Sequence, residues 1–182
     1  MEKQGKIITI YLMSFFIIWG VFLMYTNHMF GNQIFPEKIE KEIKFTKISK
    51  VNKEKIFTSI ADLENYSKIL PNNVIAVKIV NQTNNEIIAE EEIIEAGIRS
   101  KILVKHTIIP YENHTMQILN GDAQDTTIFI SFFIENSTTI INTEIKMKVK
   151  GILLPFGFLP ENNLKSAWNS VISEFEEHAN KN

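Results

Sequence analysis

Between Lys6 and Glu37 the chain runs 30 residues without Asp, Glu, Lys or Arg. Residues 7–24 of that gap read IITIYLMSFFIIWGVFLM. These 18 residues would make a helix of ~27 Å, close to the ~30 Å hydrocarbon thickness of a bilayer. The run, which includes Phe15, Phe16, Trp19 and Phe22, would be apolar on every side of that helix. An amphipathic core helix shows a stripe instead. The segment therefore reads as an uncleaved membrane anchor. A secretory signal is the main competing reading, but its apolar region is ~7–15 residues and ends in a small-x-small site. The run from Tyr25 to Phe30 offers no such site. A buried soluble helix is the third reading. Lys3 and Lys6 flank the anchor closely, whereas Lys38, Lys41 and Lys44 lie farther away among Glu37, Glu40 and Glu42. Cations close to the membrane favour the cytoplasmic side, so the N-terminus leans inward and the globular part outward.

Of the 40 charged residues, 37 fall from Glu37 onward. That part carries 17 basic and 20 acidic residues and no basic stripe, which argues against a nucleic-acid partner. The chain has no cysteine, which rules out disulfides, thiolate chemistry and Cys-ligated zinc. The resulting division is a flank (1–6), a transmembrane helix (7–24), a tether (25–42) and one domain (43–180). Four Asn-x-Ser/Thr sequons begin at Asn65, Asn81, Asn113 and Asn136. About two are expected by chance from 18 Asn and 22 Ser and Thr, so they carry little weight.

In the domain, residues 43–51 alternate and are β-rich. Asn52 caps a helix with Ile56, Phe57 and Ile60 on one side. Residues 62–69 read as a second short helix, ended by Leu70 and Pro71. Strands then follow at 74–81, 86–96, 98–109, 114–119, 126–135 and 138–149, with turns at Asn84-Asn85, Gly97, Asn120-Gly121-Asp122 and Asn136-Ser137. In the last strand Ile141, Thr143, Ile145, Met147 and Val149 share one face. Asn162 or Asn163 would cap a final helix whose stripe is Leu164, Trp168, Val171, Ile172, Phe175 and Ala179. The order predicts an α+β fold in which a curved antiparallel sheet of about seven strands wraps a long C-terminal helix.

This order, with three local motifs, resembles the START-like (SRPBCC, helix-grip) superfamily, and most of all its polyketide cyclase/dehydrase and coenzyme Q-binding branch. The motifs are Asp62, Tyr66 and Pro71 after the first helix, Leu119-Asn120-Gly121-Asp122 before a strand, and the terminal helix containing Phe175. Asp125-Thr126 stands where a Gly-Thr is often found, a departure in detail. The resemblance covers residues 43–179. It implies a hydrophobic cavity between sheet and helix that holds a lipid-like or aromatic molecule, without fixing an activity.

Histidines 28, 106, 114 and 178 show no metal-ligand spacing, and no metal or cofactor is expected. His114 reads as lying beside a loop. Ser100 and His106 share the inward face of their strand, opposite Arg99, Lys101 and Lys105. His106 is either satisfied by a neighbour or orients a bound ligand. Met116, Phe132, Met147 and Trp168 are the other expected lining residues. Arg99 reads as a surface charge and Glu90-Glu91-Glu92 as a solvated strand segment. Residues 151–160 are uncharged, although loops usually face water. They either close one end of the core or form a portal lip, with Leu153, Leu154, Phe156 and Phe158, that meets the bilayer or a partner.

The leading expectation is a membrane-anchored domain binding a hydrophobic small molecule such as a quinone or isoprenoid lipid, and not an enzyme. The alternative is a non-catalytic accessory subunit docked on a larger membrane complex. A cyclase-type enzyme is third, because it needs a convergent acid/base pair and the sequence offers at most one candidate.

Overall fold

The structure is a computed structural model that describes residues 36–95 and 97–181. The expected anchor at 7–24 lies outside these residues. Among them, no helix is long and apolar enough to cross a membrane.

Strand β1 (Lys38–Ser49) leads into helix α1 (Lys53–Ala61), a 3-10 turn (Leu63–Asn65) and the short α2 (Tyr66–Ile69). Strands β2 (Val74–Gln82), β3 (Glu86–Glu95), β4 (Ile98–Ile109), β5 (Asn113–Ile118), β6 (Thr127–Glu135) and β7 (Thr138–Lys150) follow as a meander. A 3-10 turn (Gly151–Leu153), the short α3 (Leu154–Gly157) and the 21-residue α4 (Glu161–Lys181) complete the order. The strands make one seven-stranded antiparallel sheet in the order β1-β7-β6-β5-β4-β3-β2. This is the expected architecture.

The turns explain the meander. Asn136 and Ser137 both take positive φ (48° and 62°), the twist a two-residue hairpin needs. Asp125, in the place of the expected glycine, also has positive φ (67°). Asp tolerates that conformation better than most non-glycine residues. The Asn120 side chain of the same turn accepts from the Leu103 amide at 2.8 Å.

Helix α1 starts where its cap requires. Asn52 Oδ1 accepts from the Glu54 and Lys55 amides at 2.9 and 3.2 Å. Asn52→Ala is expected to cost about 1 kcal/mol in urea unfolding, with the slope unchanged. The concave face of the sheet, α1, α2 and α4 share one core that includes Ile43, Ile56, Phe57, Ile60, Tyr66, Ile130, Phe132, Ile141, Ile172 and Phe175. Along the α4 stripe Ile172, Phe175 and Ala179 are buried, and Leu164, Trp168 and Val171 are half-buried. A buried Ser59 hydroxyl donates to the Phe175 carbonyl at 3.0 Å, tying α1 to α4. Lys47 of β1 reaches Ser173 Oγ (2.6 Å) and Glu176 (3.1 Å) of α4.

Three details differ from expectation. β1 begins at Lys38, so residues read as tether already pair in the sheet; alternating Ile39, Lys41 and Ile43 turn inward while Glu40 and Glu42 face water. Neither Asn162 nor Asn163 caps α4. The helix starts at Glu161, and the Pro160 carbonyl accepts from the Asn163 and Leu164 amides. Residues 151–160 are not an open loop but two short helical turns.

Candidate functional site

The concave face of β3, β4 and β5 should be wholly apolar if it served packing alone. It carries three ionisable side chains instead: Glu91, His106 and His114, all buried. Parity puts them there. Ala89 and Glu91 share a face in β3, as do Val104 and His106 in β4, and His114 and Met116 in β5. In register His106 stands opposite Met116 and Ile87, and His114 opposite Ile108 and Ile130. Glu91 is opposite Ile102, four positions along the strand from Ile87. Curvature closes the gap, because side chains on the concave side of a bent sheet converge.

The three groups form a chain. His106 Nε2 lies 2.8 Å from Glu91 Oε1, and His106 Nδ1 lies 3.0 Å from His114 Nε2. Tyr66 closes one side, with its ring 6.4 Å from that of His106 and 5.3 Å from that of Phe175. Its hydroxyl donates to the Ile60 carbonyl at 2.6 Å. Burial first, and the Glu91 charge second, raise the Tyr66 pKa well above its usual value and keep it a donor. Nδ1 of His114 is buried without a hydrogen-bond partner among the described residues. The Ile60 carbonyl, which already accepts from the Tyr66 hydroxyl, has a second lone pair within reach of His114 and works against the fall in the His114 pKa.

Burial, and then the neighbouring His106, depress the His114 pKa from 6.5 to about 3, so His114 is neutral at physiological pH. Facing a carboxylate, which only accepts, Nε2 of His106 is the donor. One proton then serves the contact between His106 Nδ1 and His114 Nε2. If it sits on His106, Nε2 of His114 accepts and that ring carries its own proton on Nδ1. If it sits on His114, Nδ1 of that ring is a bare acceptor inside the core. Nδ1 of His114 can therefore offer one hydrogen bond to a guest or accept one from it, according to the tautomer. It is a linear chain, and among the described residues no His, Asp and Glu group is arranged to hold a metal.

The depressed pKa gives a signed pH dependence. Between pH 6.5 and about 3 the unfolded chain binds the His114 proton and the folded one does not. Stability is therefore lost as pH falls through that window, with this group contributing up to ~1.4 kcal/mol per pH unit. Urea unfolding from pH 7 to pH 4 checks this. His114→Gln, which keeps a group for His106 to bond, should flatten the slope by about one proton.

The expected site residues divide. His106 is fully buried at the centre and Met116 is its half-buried cross-strand neighbour. Phe132 is buried against Phe57, ring centroids 5.4 Å apart. Trp168 is half-buried and packs on the core from α4. Met147 packs on the core and also borders a groove with Glu40, Lys41, Glu42, Lys146 and Lys148. Ser100 faces inward but lies six residues from His106, about 20 Å of strand, and is not part of the cluster. Of the portal residues, Phe158 is exposed, Leu153 and Phe156 are half-buried, and Leu154 is core. Arg99 is on the outer face, paired with Glu92.

One reading is corrected and another sharpened. Glu91 is not solvated: only Glu90 and Glu92 of that triplet turn outward, toward Lys101 and Arg99. His114 does lie beside a loop, as the second residue of β5, but its side chain faces the core and has no exposed surface. The period-two count that selected Met116 also selects His114 two residues earlier, and Ala89 and Ile93 select Glu91.

No protein-family model matches the sequence, and no curated protein does. Solved structures do match. Ara h 8.0201 superposes with TM-score 0.59 at 15% identity, over 79% of this chain and 99% of its own. A START superfamily protein from Mycobacterium smegmatis gives 0.57 at 14% identity, over 77% and 97%. The di-domain ARO/CYC BexL from the BE-7585A biosynthetic pathway gives 0.63 at 12% identity, over 79% of this chain and 51% of that one. The chain has the helix-grip fold. Identities this low establish the fold alone, and the helix-grip scaffold is where Glu91, His106 and His114 must be given a task.

Proposed function

We propose that this chain is a membrane-anchored helix-grip domain that binds a hydrophobic small molecule carrying one polar group, in the class of quinones and isoprenoid lipids. The observation that carries the reading is the Glu91–His106–His114 chain. Three linked ionisable groups in an otherwise apolar core cost desolvation energy, and a purely structural core has no use for them. A guest held between the concave face and α4 would bury apolar surface at ~25 cal/mol per Å², and its hydroxyl would donate to Nδ1 of His114. Residues 7–24 would hold the domain at the membrane that supplies the guest, with the globular part outside.

Mass spectrometry of the full chain purified in detergent tests this. The expected result is a retained hydrophobic compound, lost when Glu91, His106 and His114 are all replaced by Leu in a still-folded protein. No retained compound, together with no binding of quinone or prenyl-alcohol probes on titration, rejects the reading. A cyclase-type enzyme is the second reading. The proton shared by His106 and His114 favours it, because it supplies the acid/base partner that the sequence did not show. Solvent deuterium entering the retained compound, and stopping with His106→Leu, would support catalysis over binding.

A further inference from the structure

Residues 151–160 present apolar side chains outward from a rigid frame. Ile152 is 55% exposed, Phe158 56% and Leu159 36%, while Leu154 and Gly157 are buried beneath them. The frame is pinned at both ends. At one end the Ile152 amide donates to Asp122 Oδ2 at 2.8 Å. At the other, the Lys41 ammonium donates to the Leu159 carbonyl at 2.7 Å. Between them Gly157 lies so close to Ile39 that an added Cβ would come within 2.8 Å of its side chain. A loop that only connected β7 to α4 would turn such side chains inward or carry charges.

The position of this lip identifies what it faces. Ile39 and Lys41 are among the first residues of β1, and Lys148 and Lys150 are among the last of β7, so the lip sits at the end of the domain where β1 begins. Only 13 residues separate Lys38 from the apolar segment ending at residue 24. Thirteen residues reach at most about 45 Å even when fully extended. We propose that the lip formed by Ile152 and Leu159 seats in the surface of the lipid bilayer that residues 7–24 span, with Lys148 and Lys150 at headgroup level. The inference rests on the anchor reading but not on ligand binding. It gives the domain a fixed orientation, with the β1–β7 end toward lipid and α1 away from it.

The absence of cysteine makes the test direct. Full chains carrying Ile152→Cys, Leu159→Cys or, as control, Lys55→Cys in α1 are labelled with bimane. They are then reconstituted into phosphatidylcholine–phosphatidylglycerol vesicles containing nitroxide-labelled lipid. The expected result is several-fold stronger quenching at positions 152 and 159 than at 55. If the chain floats with the vesicles but 152 and 159 are quenched no more than 55, the lip proposal is overturned and the anchor stands. If the chain does not float at all, both fall. Retention of a hydrophobic compound is measured separately and decides the ligand reading alone.

Discussion

Glu91→Ala is expected to lower the stability of the domain by about 2–3 kcal/mol, because it leaves the buried Nε2–H of His106 without its acceptor. For a domain of this size that is a fall of roughly 10 °C in Tm. The cost comes from the buried hydrogen bond left uncompensated, so its counterpart is sharper. Replacing Glu91, His106 and His114 together by Leu removes every polar group at once, and that change is expected to be near neutral or stabilising. Thermal unfolding of both variants decides the matter. A loss below about 1 kcal/mol for Glu91→Ala would mean that His106 finds water or another partner, and would contradict the sealed chain described above. A stable triple-Leu protein would show that the three residues are kept for a task other than folding.

The second large effect is expected at Gly151. Its φ is +53°, and a Cβ there would stand 2.3 Å from Asp122 Oδ2. Asp122 cannot simply swing away, because that oxygen accepts the Ile152 amide. Gly151→Ala combines a left-handed penalty of ~1–2 kcal/mol with loss of a charged hydrogen bond, for about 3 kcal/mol in all. Urea unfolding of Gly151→Ala alone and with Asp122→Ala separates the two. The double variant keeps the backbone penalty and relieves the clash, so the costs should be clearly less than additive. Additive costs would place the two residues apart.

What could be read beforehand follows from how each residue advertises itself. β7 alternates Ile141, Thr143 and Ile145 against Asn142 and Glu144, so its face was plain. β6 reads Ile128, Phe129, Ile130, Phe132 and Phe133, apolar on both parities, and periodicity is silent there. Structure shows why: Phe129 and Phe133 are exposed on the outer face. His106 stood out because Val104 and Ile108 framed it. Glu91 was hidden by two glutamates of opposite parity, since a charged triplet resembles a solvated edge. His114 was hidden by its nearness to Pro110 and Asn113, which suggest a turn although β5 begins at Asn113 itself. Neither local pattern reveals that a curved sheet draws Glu91 to His106 across four register positions. That depends on the whole meander.

The sheet order also sets a timetable. β1 pairs with β7, and 88 residues lie between Ser49 and Thr138. During vectorial synthesis the first strand of the domain therefore waits, edge unsatisfied, until the last strand is made. Only then can α4 follow and lay Phe175 against Tyr66. Closure of such a distant pair is slow, and an unpaired strand is the part of a nascent chain most prone to mispairing. A chain held at a surface by residues ahead of β1 would spend that interval with its waiting strand fixed in place rather than adrift among its neighbours.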